Sequence, residues 1–536
     1  MDKKFWKNPV FSISAVVIFL IVVLGAVIPT KFGYAAEMLY DFTAKSFGWF
    51  YLLIVFIIVA FLVGLAISKY GAIRLGGDEE RPDYPFFTWI GMLFSAGFGV
   101  GLVFWGVAEP MSHFFTSPIG DVVPQSEEAA RIAMGYSFFH WGISQWAIFG
   151  IVGLVIGFLQ FRKKKDGLIS TALEPLVGSN KKVKIGIDSF SVIATVMGIA
   201  TSLGLGILQM GGGLESVFNI KSTFGVQLFI IAIVFVAYML STSTGLNKGI
   251  RYLGNFNLAL AIAMLVFFFA VGPKVFILES FTLGIGDYIS HFIEYSLRLQ
   301  PYQGGTWVRD WTIFYWAWTI AWSPFVGAFV ARVSKGRTIR EFIAGVMVIP
   351  PVFACMWIAT LGGTALYSDL NNGTKIAEAV DADVTSAIFE TFKHMPFTGF
   401  TSALAILLIF TFLVTSADSA TYILASMTTR GSLFPPMIVK MTWGFLMSAI
   451  AGVLLYAGGL DALQSASLVS ALPFTVLLLL LIFSMAKLLK KEPITVRPTD
   501  ISRFEKIEHE VKKKIELEES ETSSSKRRKR RNKKPE

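Results

Sequence analysis

Two segments gather aromatic faces at spacings that could hold a cation. In FFHWGISQWAIF, Trp141, Trp146 and Phe149 lie at offsets of 5 and 8, within one broad helical face. In WTIFYWAWTIAWSPF, Trp311, Tyr315, Trp318 and Trp322 follow spacings of 4, 3 and 4, a single stripe, and Pro324 and Gly327 then interrupt that helix. Tryptophan also marks membrane interfaces, which accounts for Trp311 and Trp141 equally well. Trp146, Trp318 and Trp322 sit deeper. A deep cluster of π-faces suits a cation that cannot donate hydrogen bonds, a quaternary ammonium, although packing alone could also place the rings together.

A third segment, FSAGFGVGLVFWGVAEP (94–110), carries Gly97, Gly99 and Gly101. Each glycine costs a helix about 1 kcal/mol against alanine. In lipid, loosened backbone is tolerated where it is buried in protein or lines a cavity. The competing role is close helix packing through small residues. A fourth, FTFLVTSADSATYILASM, offers the adjacent hydroxyls of Thr415 and Ser416 and the acid Asp418. Hydroxyls and freed carbonyls are hard ligands for Na⁺; bonding of the hydroxyls back to their own helix is the alternative.

The elements that position these residues are membrane spans. The chain has 536 residues, 54% of them hydrophobic and 16% charged, with 49 Phe and 13 Trp. Hydrophobic runs near 20 residues recur throughout, each enough for ~30 Å of hydrocarbon. Twelve are predicted, near 11–29, 47–68, 87–108, 134–160, 186–209, 226–244, 253–272, 310–331, 341–363, 397–425, 436–457 and 467–487. The first is no cleavable signal, because its apolar run is long and no small-residue site follows. Cys355 is the single cysteine, so neither a disulfide framework nor a cysteine metal site exists. Histidines are few and scattered, and no nucleophile–base pair or nucleotide loop is evident, which argues against an enzyme.

The net charge of +10 follows topology rather than nucleic acid. Lys3, Lys4 and Lys7, the cluster 162–184, Arg332–Arg340 and Lys487–Lys491 fall on one side of twelve crossings. Opposite loops, such as 109–131 with Glu109, Asp121, Glu127 and Glu128, are poor in Lys and Arg. Both termini are therefore expected in the cytoplasm, in a multi-pass protein of the cell membrane. The order is residues 1–86 with two plain spans, 87–275 with five, an interfacial amphipathic helix in 276–309, 310–490 with five more, and a charged tail, 491–536. Five is odd, so the second group must be inverted, and interrupted helices opening both groups point to a transporter's midplane site. In the tail, EKIEHEVKKKIELEE reads as an exposed helix, and KRRKRRNKK either stays solvated or touches anionic lipid.

GFGVGLVFWGVAEP, FHWGISQWAIF, ATVMGIATSLGLGILQ, FYWAWTIAWSPFVGAFVARVSKGRTIREF and TSADSATY together resemble the betaine/choline/carnitine transporter family over roughly 10–490, most of all its bacterial Na⁺-coupled glycine betaine transporters. The resemblance implies an all-α membrane protein of twelve helices, with a LeuT-like 5+5 inverted repeat after two extra helices, alternating access and a homotrimer. It places a trimethylammonium among Trp141, Trp146, Phe149, Trp318 and Trp322, and one Na⁺ on carbonyls of Ser95, Phe98 and Phe412 with the hydroxyls of Thr415 and Ser416. Thr195 and Phe325 match a second Na⁺ site, but Ile199 stands where a second threonine is expected; Thr201 lies close by. Phe149 and Thr319 depart from a common tyrosine and tryptophan. Gly97, Gly99 and Gly101 would turn free N–H groups toward the substrate carboxylate. The expected activity is Na⁺-coupled uptake of glycine betaine in osmotic stress, with no cofactor beyond the coupling ion. Proline betaine, dimethylsulfoniopropionate, ectoine, or Na⁺-independent exchange of carnitine-like compounds are the alternatives.

Overall fold

Prolines and small polar residues start the helices of the computed structural model, which describes residues 7–97, 99–244, 249–302, 304–432, 434–493 and 506–518. The Asn8 side chain accepts from Val10 N–H, and Pro9 opens α1 (Pro9–Val27). Pro29 opens α2 (Pro29–Ile67), which begins well before the predicted second span. There follow α3 (Phe86–Gly97), α4 (Val100–Phe115), α5 (Glu127–His140), α6 (Ile143–Gly157), α7 (Ile169–Val177), α8 (Lys181–Phe218), α9 (Phe224–Thr244) and α10 (Gly249–Val271). The segment predicted to be interfacial forms α11 (Lys274–Ser290) and α12 (Phe292–Leu297). The remainder comprises α13 (Phe314–Val333), α14 (Ile339–Asn372), α15 (Ile376–Ala382), α16 (Ala387–Lys393), α17 (Thr398–Thr428) and α18 (Met437–Leu489).

Among the described residues, 10 helical stretches are long and apolar enough to cross a bilayer. The predicted third span is divided between α3 and α4, neither long enough alone. The predicted eleventh and twelfth spans share the 53-residue α18, which turns at Gly459 (φ 59°, ψ −131°).

The expected break of α13 at Pro324 and Gly327 does not occur; the helix is continuous. Proline removes the N–H that would reach the Ile320 carbonyl. The Ser323 hydroxyl donates to that same carbonyl at 2.8 Å, so the helix loses no acceptor partner. Gly327 serves packing instead: a Cβ there would lie 2.6 Å from Val152 Cγ1 and 3.0 Å from Gly153 N on α6. The irregularity of this span sits earlier, in a π-helical turn over Arg309–Ile313.

The loop after α2 and the one after α13 are tied together. Leu75 N–H donates to Arg337 O, and Gly336 N–H to Leu75 O, both at 2.8 Å. Lys335 Nζ lies 2.8 Å from Glu80, and this ammonium with the Gly77 N–H holds the Glu80 carboxyl below its ordinary value. That contribution is present above the ordinary carboxylate pKa and fades as the pH falls through the depressed one.

Contacts divide the chain into Met1–Lys490 and Lys491–Glu536. In the second unit, residues 506–518 are helical, with Lys512 Nζ 2.9 Å from Glu508. The basic run 526–534 lies outside the described residues.

Candidate solute and cation site

The glycine stretch ends one helix and starts another. Gly97 is the last residue of α3, Gly99 is extended (φ −114°, ψ −159°), and α4 begins at Val100. Phe98 and the Ser95 side chain lie outside the described residues, so the cation contacts expected of Ser95 and Phe98 do too. Val100, Gly101 and Leu102 occupy the first turn of α4, where backbone N–H groups have no intrahelical acceptor. Such a helix start attracts a carboxylate.

Gly99, Gly101, Trp141, Gln145, Trp318, Trp322 and Ser416 line a buried cavity of about 20 Å³. That volume holds about one water, so a solute must part the lining rings. Gly101 is the floor beneath them: a Cβ would lie 2.4 Å from Trp318 Cη2 and 3.3 Å from Trp141 Cη2. Trp318 meets Trp141 edge-on with centroids 6.3 Å apart, and stacks toward Trp322 at 6.3 Å and 19°. Trp318 is held by its Nε1–H, which donates to Ser202 Oγ at 3.0 Å, and by Phe314, parallel within 3°. Trp146 and Phe149 form a layer behind, with Phe149 5.8 Å from Trp322; neither lines the cavity itself.

Trp141, Trp146 and Phe149 do not share one helix, contrary to their spacing. The chain breaks at Trp141–Gly142, which separates α5 from α6. The free Ile143 N–H donates to the Tyr288 hydroxyl at 2.9 Å, and Tyr288 comes from α11. A Cβ on Gly142 would lie 2.5 Å from that hydroxyl.

Behind Trp141 sits a polar network that the sequence does not reveal. Glu109, read above as a loop acid, is inside α4 and fully buried. Its Oε2 accepts from Trp141 Nε1 at 2.9 Å and from the Tyr315 hydroxyl at 2.5 Å. Its Oε1 lies 2.6 Å from His140 Nδ1 and 3.3 Å from His113 Nε2. His140 Nε2 continues to Thr312 Oγ1 at 2.9 Å, in the π-helical turn. Two of the five histidines are thus not scattered: Glu109, His113 and His140 bring ligand-type atoms within 4.8 Å of one another. The 2.6 Å contact is a hydrogen-bond length, so the group is a hydrogen-bonded network fixing the Trp141 indole.

On α17, Thr415 Oγ1 is 3.1 Å from both Thr411 O and Phe412 O, as expected for a hydroxyl bonding to its own helix. It also accepts from Asn257 Nδ2 at 3.0 Å, and among the described residues nothing donates to Asn257 Oδ1. Asn257 and Asn255 are amides within one apolar span, a signal visible in the sequence. Ser416 faces the helix break, its Oγ 3.4 Å from where a Gly99 Cβ would stand. These oxygens are of the kind Na⁺ prefers. Thr195 donates to Ser191 O at 2.6 Å, within its own helix, and Phe325 packs on Trp322 with centroids 5.7 Å apart. Ile199 lines the cavity. Thr201 is engaged elsewhere, bridging to Leu463 O and Ser467 Oγ. Asp418 accepts from Ser241 and Thr242 hydroxyls, both at 2.5 Å, which ties α17 to α9.

A family model described as "betaine/carnitine/choline family transporter" matches residues 9–494. The chain belongs to that transporter family. An "Ectoine/hydroxyectoine transporter" of Virgibacillus pantothenticus is 62% identical over 92% of this chain and 98% of its own. "Glycine betaine transporter OpuD" of Bacillus subtilis (strain 168) is 45% identical over 90% and 95%. A "Probable glycine betaine transporter" of Desulfitobacterium hafniense is 43% identical over 92% and 99%. As a member of this family the chain is a multi-pass membrane transporter, not an enzyme.

Proposed function

We propose that this family member imports a small zwitterionic compatible solute together with Na⁺. The solute's cation would lie on Trp141, Trp318 and Trp322, and its carboxylate would face the N–H groups of Gly99 and Gly101. Na⁺ would be held by the Phe412 carbonyl and the Thr415 and Ser416 hydroxyls, with Ser95 and Phe98 completing the shell and Thr195 with Phe325 as a second site. The observation that carries this reading is one cavity joining a broken helix, three indoles and Ser416. Ring faces offset the lost hydration of a cation by up to about 2 kcal/mol each. Inward movement of one Na⁺ releases about 2.3 kcal/mol per 100 mV, enough to accumulate an osmolyte.

Ectoine-type solutes come first, because the most identical relative named above carries that description; glycine betaine comes second. Counting α3 with α4 as one interrupted span, and α18 as two spans divided at Gly459, brings the crossings to twelve. That number suits a 5+5 inverted repeat of the LeuT type, with both termini cytoplasmic, in a homotrimer whose basic tail touches anionic lipid. Na⁺-independent exchange of carnitine-like compounds is the competing reading, and the hydroxyls of Thr415 and Ser416 weigh against it.

In cells lacking other osmolyte carriers, uptake of labelled ectoine or glycine betaine is expected to stop when external Na⁺ is replaced by K⁺. Accumulation that persists without Na⁺ would favour the exchanger.

A further inference from the structure

The cavity contains an acceptor that a quaternary ammonium cannot use. Gln145 lies on α6, lines the cavity with Trp141 and Trp318, and is 3% exposed. Among the described residues nothing donates to its Oε1. Buried side-chain oxygens normally have a donor, so an orphan on a residue that lines a binding cavity calls for one from the ligand.

Two of the neighbouring polar groups are already committed. Ser202 Oγ accepts from Trp318 Nε1 at 3.0 Å and donates to Gly198 O at 3.2 Å. Trp141 Nε1 is turned away to Glu109. Ser416 stands across the cavity against Gly99, at the break between α3 and α4. Gln145 Oε1 is therefore an unpaired acceptor on a residue that shares the cavity lining with the indoles that would carry the cation.

Cations of two shapes can use those indoles. A trimethylammonium presents only C–H groups in every direction. A cyclic amidinium, such as that of ectoine, is flat and delocalised; its face can lie on an indole while its N–H groups point outward in the ring plane. We propose that Gln145 Oε1 accepts an N–H from the solute's cation, and that this contact selects ring-amidinium zwitterions over quaternary ammonium ones. The assignment rests on the reading of this cavity as the solute site. A site built around a hydrogen bond rejects the analogue that lacks it, because the buried polar atom is then left unpaired.

The test is initial-rate uptake of labelled ectoine and of labelled glycine betaine by the wild-type protein, Gln145→Leu and Gln145→Glu, each normalised to membrane abundance. Gln145→Leu is expected to lower the ratio of Vmax/KM for ectoine over glycine betaine by about tenfold or more, which corresponds to about 1.4 kcal/mol. Gln145→Glu keeps an oxygen acceptor and is expected to hold the ratio at or above that of the wild type. An unchanged ratio in Gln145→Leu, or equal loss for both solutes, overturns the assignment. If Gln145→Leu does not reach the membrane, Gln145→Glu decides alone: a ratio below wild type overturns the assignment, and a retained one supports it. Wild-type protein that takes up neither solute overturns the reading of the cavity itself, and that outcome is visible before any variant is made.

Discussion

Replacing Gly101 with valine is expected to abolish solute uptake while leaving the protein in the membrane. Even a single Cβ at this position would stand 2.4 Å from Trp318 Cη2 and 3.1 Å from Cζ2. The indole cannot simply swing aside, because its Nε1–H is bonded to Ser202 and its face is parallel to Phe314. Overpacking of this kind costs about 1–3 kcal/mol in a filled core. Here the strain falls on the ring that would receive the cation. Gly101→Ala is expected to raise the KM for uptake about tenfold, and Gly101→Val to remove measurable transport. Uptake rates divided by membrane abundance separate the outcomes. If abundance falls while the rate per molecule is kept, Gly101 is a packing glycine and not the floor of a site.

The second large effect is expected at Glu109. Glu109→Leu leaves the Trp141 indole N–H, the Tyr315 hydroxyl, His140 and His113 without their shared acceptor. Each unsatisfied buried group costs about 1–3 kcal/mol, so the total is a large share of a typical stability. Loss of protein from the membrane is the expected result. Glu109→Gln keeps one oxygen but puts an amide N–H₂ where donors already converge. That variant is expected to fold, with the indole of Trp141 released and uptake reduced about tenfold, on the scale of one lost charge-assisted bond. The comparison of abundance with uptake per molecule checks it. Wild-type uptake in Glu109→Gln would show that the network does not position Trp141.

The sequence was legible where one residue type has one physical consequence. Three glycines at 97, 99 and 101 announce a broken helix, and the structure ends α3 and starts α4 there. The 4–3–4 spacing of Trp311, Tyr315, Trp318 and Trp322 announces a stripe, and α13 with its preceding turn presents it. Legibility failed where a distant partner decides. Gly142 becomes a break because Tyr288, 145 positions beyond Ile143, supplies an acceptor for the Ile143 N–H. Pro324 fails to become one because the neighbouring Ser323 hydroxyl replaces the missing donor. Glu109 resembles a loop acid because it ends an apolar run. Its i,i+4 spacing to His113 on α4 was readable, but only the convergence of Trp141, His140 and Tyr315 from distant segments makes it a shared buried acceptor. Gln145 was visible as an amide in the middle of an apolar span, a signal of function in a membrane protein. Its orphaned oxygen emerged only with the packing around it.

The central claim is that the solute's cation rests on the Trp318 ring in a Na⁺-dependent site. Calorimetric titration of the detergent-purified protein tests it most directly. Ectoine or glycine betaine is expected to bind saturably in NaCl and not in KCl. Trp318→Leu is expected to weaken binding about tenfold or more, as loss of a desolvated cation–π contact predicts. Equal binding in KCl, or undiminished binding to Trp318→Leu, would contradict the account.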